Sequence, residues 1–382
     1  MTKFDDLINN LYVDPRKSID NSSRYWDRII LCQAPSLTDK QQIFCPVNQQ
    51  LDLDIIAAFG TNQPRADQYL LHCAPGWEAN PHKCPVILLP AAGLDATSFI
   101  NLYNMGYDGL QQQLVALGHR VFALTFSHSH GDNFYQAEQL ADAIIRVKAL
   151  CGTDQVDVLA HSKAGLAARI YLSNISATAY RGDVRRYIML GTPNLGVDFA
   201  FRNPSLSLPI FISGSNGVIA WDKIFYLGTI MDTAAQAIYH DGCFPGQSQM
   251  LYRWDQEYPL DITQADWWTT YYGGQGFIGH SRGIDAAIND GGNLIARLER
   301  IGIAPGIEMS VLAGDNNLFG LVSGDDTAPS DGVVFLDSVF NTDGMASQGA
   351  KLRSKIQLHV NHWEMLYYRN VARWVDQQLR DD

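Results

Sequence analysis

The sequence has none of the long apolar runs that membrane spans or export signals require. Its longest apolar stretches, such as PVILLPAAGL, are much shorter than the roughly 20 residues that cross a bilayer. The N-terminal MTKFDDLINN carries polar and charged residues where a secretory signal has an unbroken apolar core. We therefore expect a soluble cytoplasmic protein, or an extracellular or periplasmic one if the chain is a processed form.

Positive charge is also scarce. Lys and Arg number 28 against 40 Asp and Glu, which gives a formal net charge of −12, and no cluster of Lys and Arg stands out. Proteins that bind nucleic acid neutralise phosphates with a basic surface, so this composition argues against a nucleic-acid partner. With 46% hydrophobic residues over 382 positions, the chain can bury a large core.

The six cysteines show no C-x-x-C spacing, which argues against zinc ribbons and thioredoxin-type redox sites. Four of them lie within the first 84 residues, where disulfides would suit an exported protein. We favour free, buried thiols, because cysteine usually occurs in this form in cytosolic proteins.

What the sequence does contain is an alternation of strand-like and helix-like segments. Short, almost continuous apolar runs are typical of strands that are buried on both faces of a parallel sheet. Stretches with apolar residues three and four apart predict the connecting helices. The predicted strands are 84–90, 120–126, 155–160, 186–191, 308–314 and 355–360, and the clearest predicted helices are 133–150 and 362–380.

Two regions depart from this alternation. Residues 1–83 contain the strand-like pieces DRIILC, DLDIIAAFG and QYLLHC, which predict antiparallel edge strands. Residues 197–300 interrupt the strand rhythm for too long to be an ordinary connection, and apolar stretches over 205–240 predict an inserted helical cap. The core would then consist of 84–196 and 301–382, an α/β fold with a mostly parallel central sheet and helices on both faces.

Ser162 stands at the end of one predicted strand and the start of one predicted helix, in QVDVLAHSKAGLAARIYL. A sharp strand-to-helix turn needs small residues around the serine, and Ala160, Ala164 and Gly165 meet that need. Serine is also a common helix cap, so the alternative is a purely structural Ser162. Strand, turn and helix in this order favour a catalytic nucleophile.

These residues resemble the nucleophile elbow of the bacterial lipase and esterase branch of the α/β-hydrolases, with both glycines of G-x-S-x-G replaced by alanine. LGTPNLG (190–196), PSDGVV (329–334) and VNHWEML (360–366) are similar to further stretches of that family. The resemblance implies an α/β-hydrolase fold with a lid. It also implies a serine hydrolase of hydrophobic carboxyl esters, polyesters among them, which needs no cofactor and which makes transient contact with a lipid or polymer surface.

The resemblance assigns a catalytic triad in the chain order Ser162, Asp331, His362. His362 would take the serine proton, and Asp331 would orient His362 and stabilise its charged form. Other candidates for the acid are Asp315, which follows a predicted strand directly, and the neighbouring Asp325 and Asp326. Alternation along the last strand predicts that His359 is a core or supporting histidine.

An oxyanion hole needs two backbone N–H groups. Lys163, directly after the nucleophile, would supply one, and Ala92, after the first core strand, would supply the other. The residues expected to bind substrate are Leu94, His128, Trp221 and Phe225.

Two alternative functions remain at this point. An acyltransferase would use the same triad with an alcohol in place of water. A metal-dependent hydrolase would use His128, His130 and Asp132, since FSHSHGDNF (126–134) is similar to the H-x-H-x-D-H string of the metallo-β-lactamase type, although Asn133 replaces its last histidine.

Overall fold

An eight-stranded sheet lies at the centre of the chain. The computed structural model describes residues 25–45, 48–101, 106–202, 223–226, 229–232, 238–239, 242–260, 271–275, 279–319, 322–323 and 327–380. In chain order the strands are β1 (Arg28–Gln33), β2 (Gln68–Cys73), β3 (His82–Leu89), β4 (His119–Phe126), β5 (Val156–His161), β6 (Val184–Leu190), β7 (Lys223–Tyr226), β8 (Thr229–Asp232), β9 (Gly274–Gln275), β10 (Gly279–Ser281), β11 (Glu308–Gly314), β12 (Leu318–Phe319), β13 (Val322–Ser323) and β14 (Lys351–Leu358).

The strand order of the central sheet is β1-β2-β4-β3-β5-β6-β11-β14. β2 pairs antiparallel with both β1 and β4. All other neighbours pair in parallel. The expected mostly parallel sheet with an antiparallel N-terminal edge is therefore confirmed.

Helices cover both faces of this sheet. Along β5, Val158 and Ala160 belong to one buried apolar cluster and Leu159 to the other, as alternation along a strand requires. α3 (Asn133–Cys151) and α4 (Ala164–Leu172) pack on the first face, and α2 (Leu110–Ala116) and α10 (Arg369–Leu379) pack on the second. None of the described helices is long and apolar enough to cross a membrane. The helices are α1 (Leu53–Phe59), α2 (Leu110–Ala116), α3 (Asn133–Cys151), α4 (Ala164–Leu172), α5 (Phe199–Arg202), α6 (Pro245–Ser248), α7 (Ile284–Asp290), α8 (Leu294–Glu299), α9 (Leu336–Phe340) and α10 (Arg369–Leu379).

The N-terminal segment contains two of the three predicted strands. The third, DLDIIAAFG, is wrong, since Leu53–Phe59 is the helix α1. The Asp52 side chain accepts hydrogen bonds from the N–H groups of Asp54 and Ile55, and Gly60 ends the helix in the left-handed conformation at φ 75°. The apolar run of this segment is too short to distinguish a helix from a strand, and the two caps stabilise the helix. None of the six cysteines, all of which lie within the described residues, forms a disulfide; four are buried, and Cys84 and Cys151 are half-buried.

The described part of the insertion at 197–300 contains strands as well as helices. β7 to β10 form a four-stranded antiparallel sheet in the order β8-β7-β10-β9. The prediction of helices over 205–240 is therefore wrong at 223–226 and 229–232, and its remainder falls outside the described residues except 238–239. The strand sequences KIFY and TIMD explain the difference, because aromatic and β-branched residues favour strands.

The last helix begins later than predicted. The segment predicted as helix from residue 362 first makes a turn, in which Asn361 Oδ1 accepts from the N–H groups of Trp363 and Glu364. α10 then starts at Arg369 and buries Val371 and Val375 against the sheet. This turn places His362 ahead of the helix, beyond the carboxyl end of β14.

Candidate active site

Ser162 lies in a strained turn between β5 and α4. Its φ is 57°, in the left-handed region, and its N–H donates to the carbonyl of Leu190 at 2.9 Å. Among the described residues the other non-glycine residues with positive φ are Asn174 and Asn293, and asparagine tolerates this region. For a serine the conformation costs of order 1–3 kcal/mol and is found mainly at functional sites.

If Ser162 had a purely structural role, it would be the N-cap of α4, but it does not occupy that position. The N-cap position is occupied by Lys163, and no side-chain hydrogen bond caps the helix. Gly165 is required here because a Cβ atom at this position would lie 2.2 Å from Oγ1 of Thr192. The predicted small-residue turn therefore packs directly against the LGTPNLG segment.

His362 and Asp331 form a buried pair. Nδ1 of His362 and Oδ2 of Asp331 are 2.7 Å apart. The other carboxylate oxygen, Oδ1, accepts from the N–H groups of Val333 and Val334 at 3.0 and 2.8 Å. The His362 N–H donates to the Asp331 carbonyl at 2.9 Å. With Asp331 fully buried, these bonds fix its carboxylate and direct one oxygen at the imidazole.

The structure brings this pair next to the serine turn. His161, which precedes Ser162, has its Nε2 atom 2.9 Å from the His362 carbonyl, and the two rings lie 4.7 Å apart. Gly191, which follows Leu190, leaves the space that the pair needs. A Cβ atom on Gly191 would lie 2.9 Å from Oδ2 of Asp331 and 3.1 Å from Nδ1 of His362.

The other candidate acid is bonded elsewhere. Oδ1 of Asp315 lies 2.8 Å from Nδ1 of His359, and this pair is open to solvent, with the His359 side chain 80% exposed. The prediction of a core or supporting role for His359 is wrong, because β14 is an edge strand that ends at Leu358. Asp325 and Asp326 lie outside the described residues.

The two predicted oxyanion donors follow neighbouring parallel strands. Leu89 on β3 is the register partner of Ala160 on β5, and Ala92 and Lys163 each lie three residues further along. Both therefore occur at the same edge of the sheet as Ser162. Neither N–H has a hydrogen-bond acceptor within the part of the chain that the structure describes. Leu94 lies in the same turn, where its N–H donates to the Ala91 carbonyl at 3.1 Å.

The Lys163 side chain is a buried feature that the sequence did not reveal. It is 1% exposed, and its Nζ atom donates to Oε1 of Gln136 at 2.7 Å. Burial lowers the pKa of Lys163 to about 7, against the opposing influence of Asp132. A Cβ atom on Gly246, in α6 of the insertion, would lie 2.3 Å from Lys163 Cε. The insertion therefore packs directly on the residue after Ser162.

We expect a Lys163→Met variant to be more stable than the wild type, by a margin that grows as the pH falls from 9 to 7. Since the pKa of Lys163 falls from 10.5 to about 7 on folding, the unfolded chain binds a proton in this window that the folded protein does not. Wild-type stability therefore decreases by roughly 1.4 kcal/mol for each pH unit lost. Urea unfolding at pH 7, 8 and 9 measures the margin.

The exposed Lys40 provides the control for this prediction. A Lys40→Met variant should differ from the wild type by the same small amount at every pH. A margin for Lys163→Met that stays constant between pH 9 and pH 7 would contradict a lowered pKa for this lysine.

The three residues of the predicted metal motif each form hydrogen bonds with different partners. His128 uses both ring nitrogens: Nε2 lies 3.0 Å from the Ile43 carbonyl, and Nδ1 accepts from the N–H of His130 at 3.1 Å. Nδ1 of His130 contacts Nε2 of Gln247 at 3.1 Å, and Asp132 caps α3 through the N–H of Phe134. These contacts do not present the three side chains as one ligand set.

The predicted substrate contacts are only partly described. His128 is buried and stacks on Phe44 with 4.5 Å between ring centroids, so it packs against the N-terminal segment. Trp221 and the side chain of Phe225 lie outside the described residues.

The strand order, with the second strand antiparallel, and the sharp turn between β5 and α4 are those of the α/β-hydrolase fold. No family model matches the chain, and no curated protein matches it. Among solved structures it is similar to the lipase BlEst2 of Bacillus licheniformis in its mature form, with a TM-score of 0.43 and 14% identity over 78% of this chain and 93% of that one.

Two further solved structures are similar in the same way. One is the product of lin2722 from Listeria innocua, with a TM-score of 0.41 and 14% identity, covering 78% of this chain and 94% of that one. The other is Est1E from Butyrivibrio proteoclasticus, with a TM-score of 0.39 and 10% identity, covering 82% of this chain and 91% of that one. The assignment of the fold rests on the sheet and the serine turn.

Proposed function

We propose that the protein is a serine hydrolase of carboxyl esters, with Ser162, His362 and Asp331 as its catalytic triad. The observation that carries the proposal is the left-handed Ser162, at φ 57°, beside a buried His362–Asp331 pair joined at 2.7 Å. Backbone strain of this kind is expected at a nucleophile, because the turn holds the serine hydroxyl in a fixed orientation.

In the first half of the reaction Ser162 Oγ bonds to the ester carbonyl carbon while its proton passes to Nε2 of His362. Asp331 holds Nδ1 of that ring, which keeps Nε2 available as the base and stabilises the imidazolium that forms. The imidazolium then gives the proton to the departing alkoxide oxygen. An alcohol leaves, and the acyl group remains on Ser162.

In the second half a water molecule attacks the acyl-serine and passes a proton to His362. His362 returns the proton to Ser162 Oγ as the carboxylic acid leaves. The N–H groups of Ala92 and Lys163 would hold the negative oxygen of each tetrahedral intermediate, and the positive end of the α4 dipole adds to this at Lys163.

We propose hydrophobic esters, including aliphatic polyesters, as the substrate class. The support is the insertion, which contacts the residue after the nucleophile through Gly246. In its described part Phe201, Phe244 and Leu251 pack into a buried apolar cluster. An insertion built on such a core can line an acyl pocket with hydrocarbon side chains, and burial of an acyl chain there would remove apolar area from water.

Labelling with a fluorophosphonate probe tests the proposal. We expect the wild type to take up one probe per chain and to lose ester hydrolysis in step with labelling, because the probe phosphorylates only an activated serine. Ser162→Ala should take up none. Ser173→Ala removes another buried serine at the far end of α4 and should label like the wild type.

The metal-dependent alternative gives the opposite result. A hydrolase that used His128, His130 and Asp132 would keep its activity after full exposure to the probe. Activity that survives stoichiometric labelling, or labelling that persists in Ser162→Ala, would contradict the assignment of the nucleophile.

A further inference from the structure

The edge of the sheet opposite the triad contains a compact histidine and carboxylate cluster. His82 is the first residue of β3 and His119 the first of β4, and the two are register partners on these parallel strands. Asp376, on α10, lies against them. The triad follows the carboxyl ends of the strands, whereas this cluster lies at their amino ends, so it is separate from the proposed chemistry.

The three side chains converge on one point. Nε2 of His119 lies 2.8 Å from Oδ1 of Asp376. The His82 and His119 rings are stacked at 4.4 Å with 21° between their planes. One ligand atom from each of the three residues lies within 4.8 Å of the others. Zinc binds imidazole nitrogen and carboxylate oxygen at about 2.0–2.2 Å, which places tetrahedral ligand atoms about 3.4 Å apart.

Little movement is needed to close the cluster around an ion. His119 and Asp376 are 2% and 7% exposed and are joined to each other, so they form a fixed half of the site. His82 is only half-buried, and its ring can turn towards them. Histidine nitrogen and aspartate oxygen are ligands that zinc takes, and a water molecule would complete a four-coordinate site here.

One cation, Arg380, already contacts the carboxylate of the cluster. Arg380 bonds to Asp376 through Nε and Nη2 at 3.0 and 2.9 Å, and its side chain is 52% exposed. The ion would take the place of the hydrogen between Nε2 of His119 and Oδ1 of Asp376, the ring proton moving to Nδ1. It would also displace Nε of Arg380 from Oδ1, while Nη2 of Arg380 keeps its contact with Oδ2.

We propose that His82, His119 and Asp376 form a zinc site that ties the amino ends of β3 and β4 to α10. Since α10 is the last described helix, bound zinc would stabilise the closure of the chain end against the sheet. The proposal does not depend on the esterase assignment.

Zinc binding to the full chain tests this site. Protein stripped with EDTA and dialysed is titrated with ZnCl2 at pH 7.5, and stoichiometry and Kd are measured by calorimetry. We expect one ion per chain, and a rise in Tm of about 3 °C or more once zinc exceeds Kd by a hundredfold. His82→Ala should weaken binding by at least about 100-fold. Its fold is checked by its Tm in EDTA, since a half-buried side chain can be removed without unfolding the core.

The chain offers a matched control at the other edge of the sheet. His359 and Asp315 form a histidine–aspartate pair with the same 2.8 Å contact, but the metal-ligand cluster found among the described residues does not include them. His359→Ala should therefore bind zinc like the wild type, and Asp376→Asn should bind it as weakly as His82→Ala. No binding by the wild type, or equal binding by His82→Ala, would overturn the proposal.

Discussion

The Ser162→Ala and His362→Ala variants should each lose at least about 10⁴-fold in kcat for p-nitrophenyl butyrate. Ser162 supplies the atom that bonds to the substrate, and His362 moves the proton in both halves of the reaction. Because the two act as one unit, the double variant should be no slower than either single variant. Initial rates at saturating ester, with protein corrected for active fraction, measure the effect.

Controls separate this loss from unfolding. Both variants should retain the circular dichroism spectrum of the wild type, and Ser162→Ala should keep or raise its Tm. Ser173→Ala, at the residue that follows α4, should stay within about threefold of the wild-type kcat. A rate within tenfold of the wild type in either triad variant would refute the assigned roles.

The Asp331→Asn variant should lose about 10³- to 10⁴-fold in kcat, whereas Asp315→Asn should change kcat by less than about threefold. An amide in place of the Asp331 carboxylate donates where the buried pair needs an acceptor, so it favours the wrong tautomer of His362. It also removes the charge that stabilises the imidazolium. Asp315 contacts a solvent-exposed histidine instead.

The same assay at several ester concentrations distinguishes the roles of the two residues. Loss of an orienting carboxylate should lower kcat and leave KM close to the wild-type value, because the substrate does not bond to Asp331. A large loss in Asp315→Asn, with Asp331→Asn close to the wild type, would mean that the acid follows β11 directly and that the pairing with Asp331 serves structure alone.

Local patterns in the sequence were sufficient for the core of the fold. The six predicted strands of 84–360 are strands of the central sheet, and α3 begins at the predicted residue, Asn133. A continuous apolar run indicates a strand buried on two faces, and apolar residues three and four apart indicate a helix buried on one face. Both patterns can be recognised without knowing which elements pack beside them. The small residues around Ser162 predicted the turn for the same local reason.

In short apolar segments such patterns did not distinguish a helix from a strand. Leu53–Phe59 was predicted as a strand and is a helix, and 223–226 and 229–232 were predicted as helix and are strands. In runs of four to nine residues the two periodicities overlap, and caps or partner strands decide the outcome. The prediction that His359 lies in the core failed for a related reason. Its strand, β14, is at the edge of the sheet, and the order of the strands in the sheet cannot be read from local patterns.

Only the tertiary structure decided which polar groups meet. Asp331 and Asp315 are equally good carboxylates in the sequence, yet the fold joins Asp331 to His362 and Asp315 to His359. It also places Gly246, 83 residues away in sequence, on the side chain of Lys163. These contacts join segments that are distant along the chain, and their geometry follows from strand order and loop packing, which local propensity does not encode.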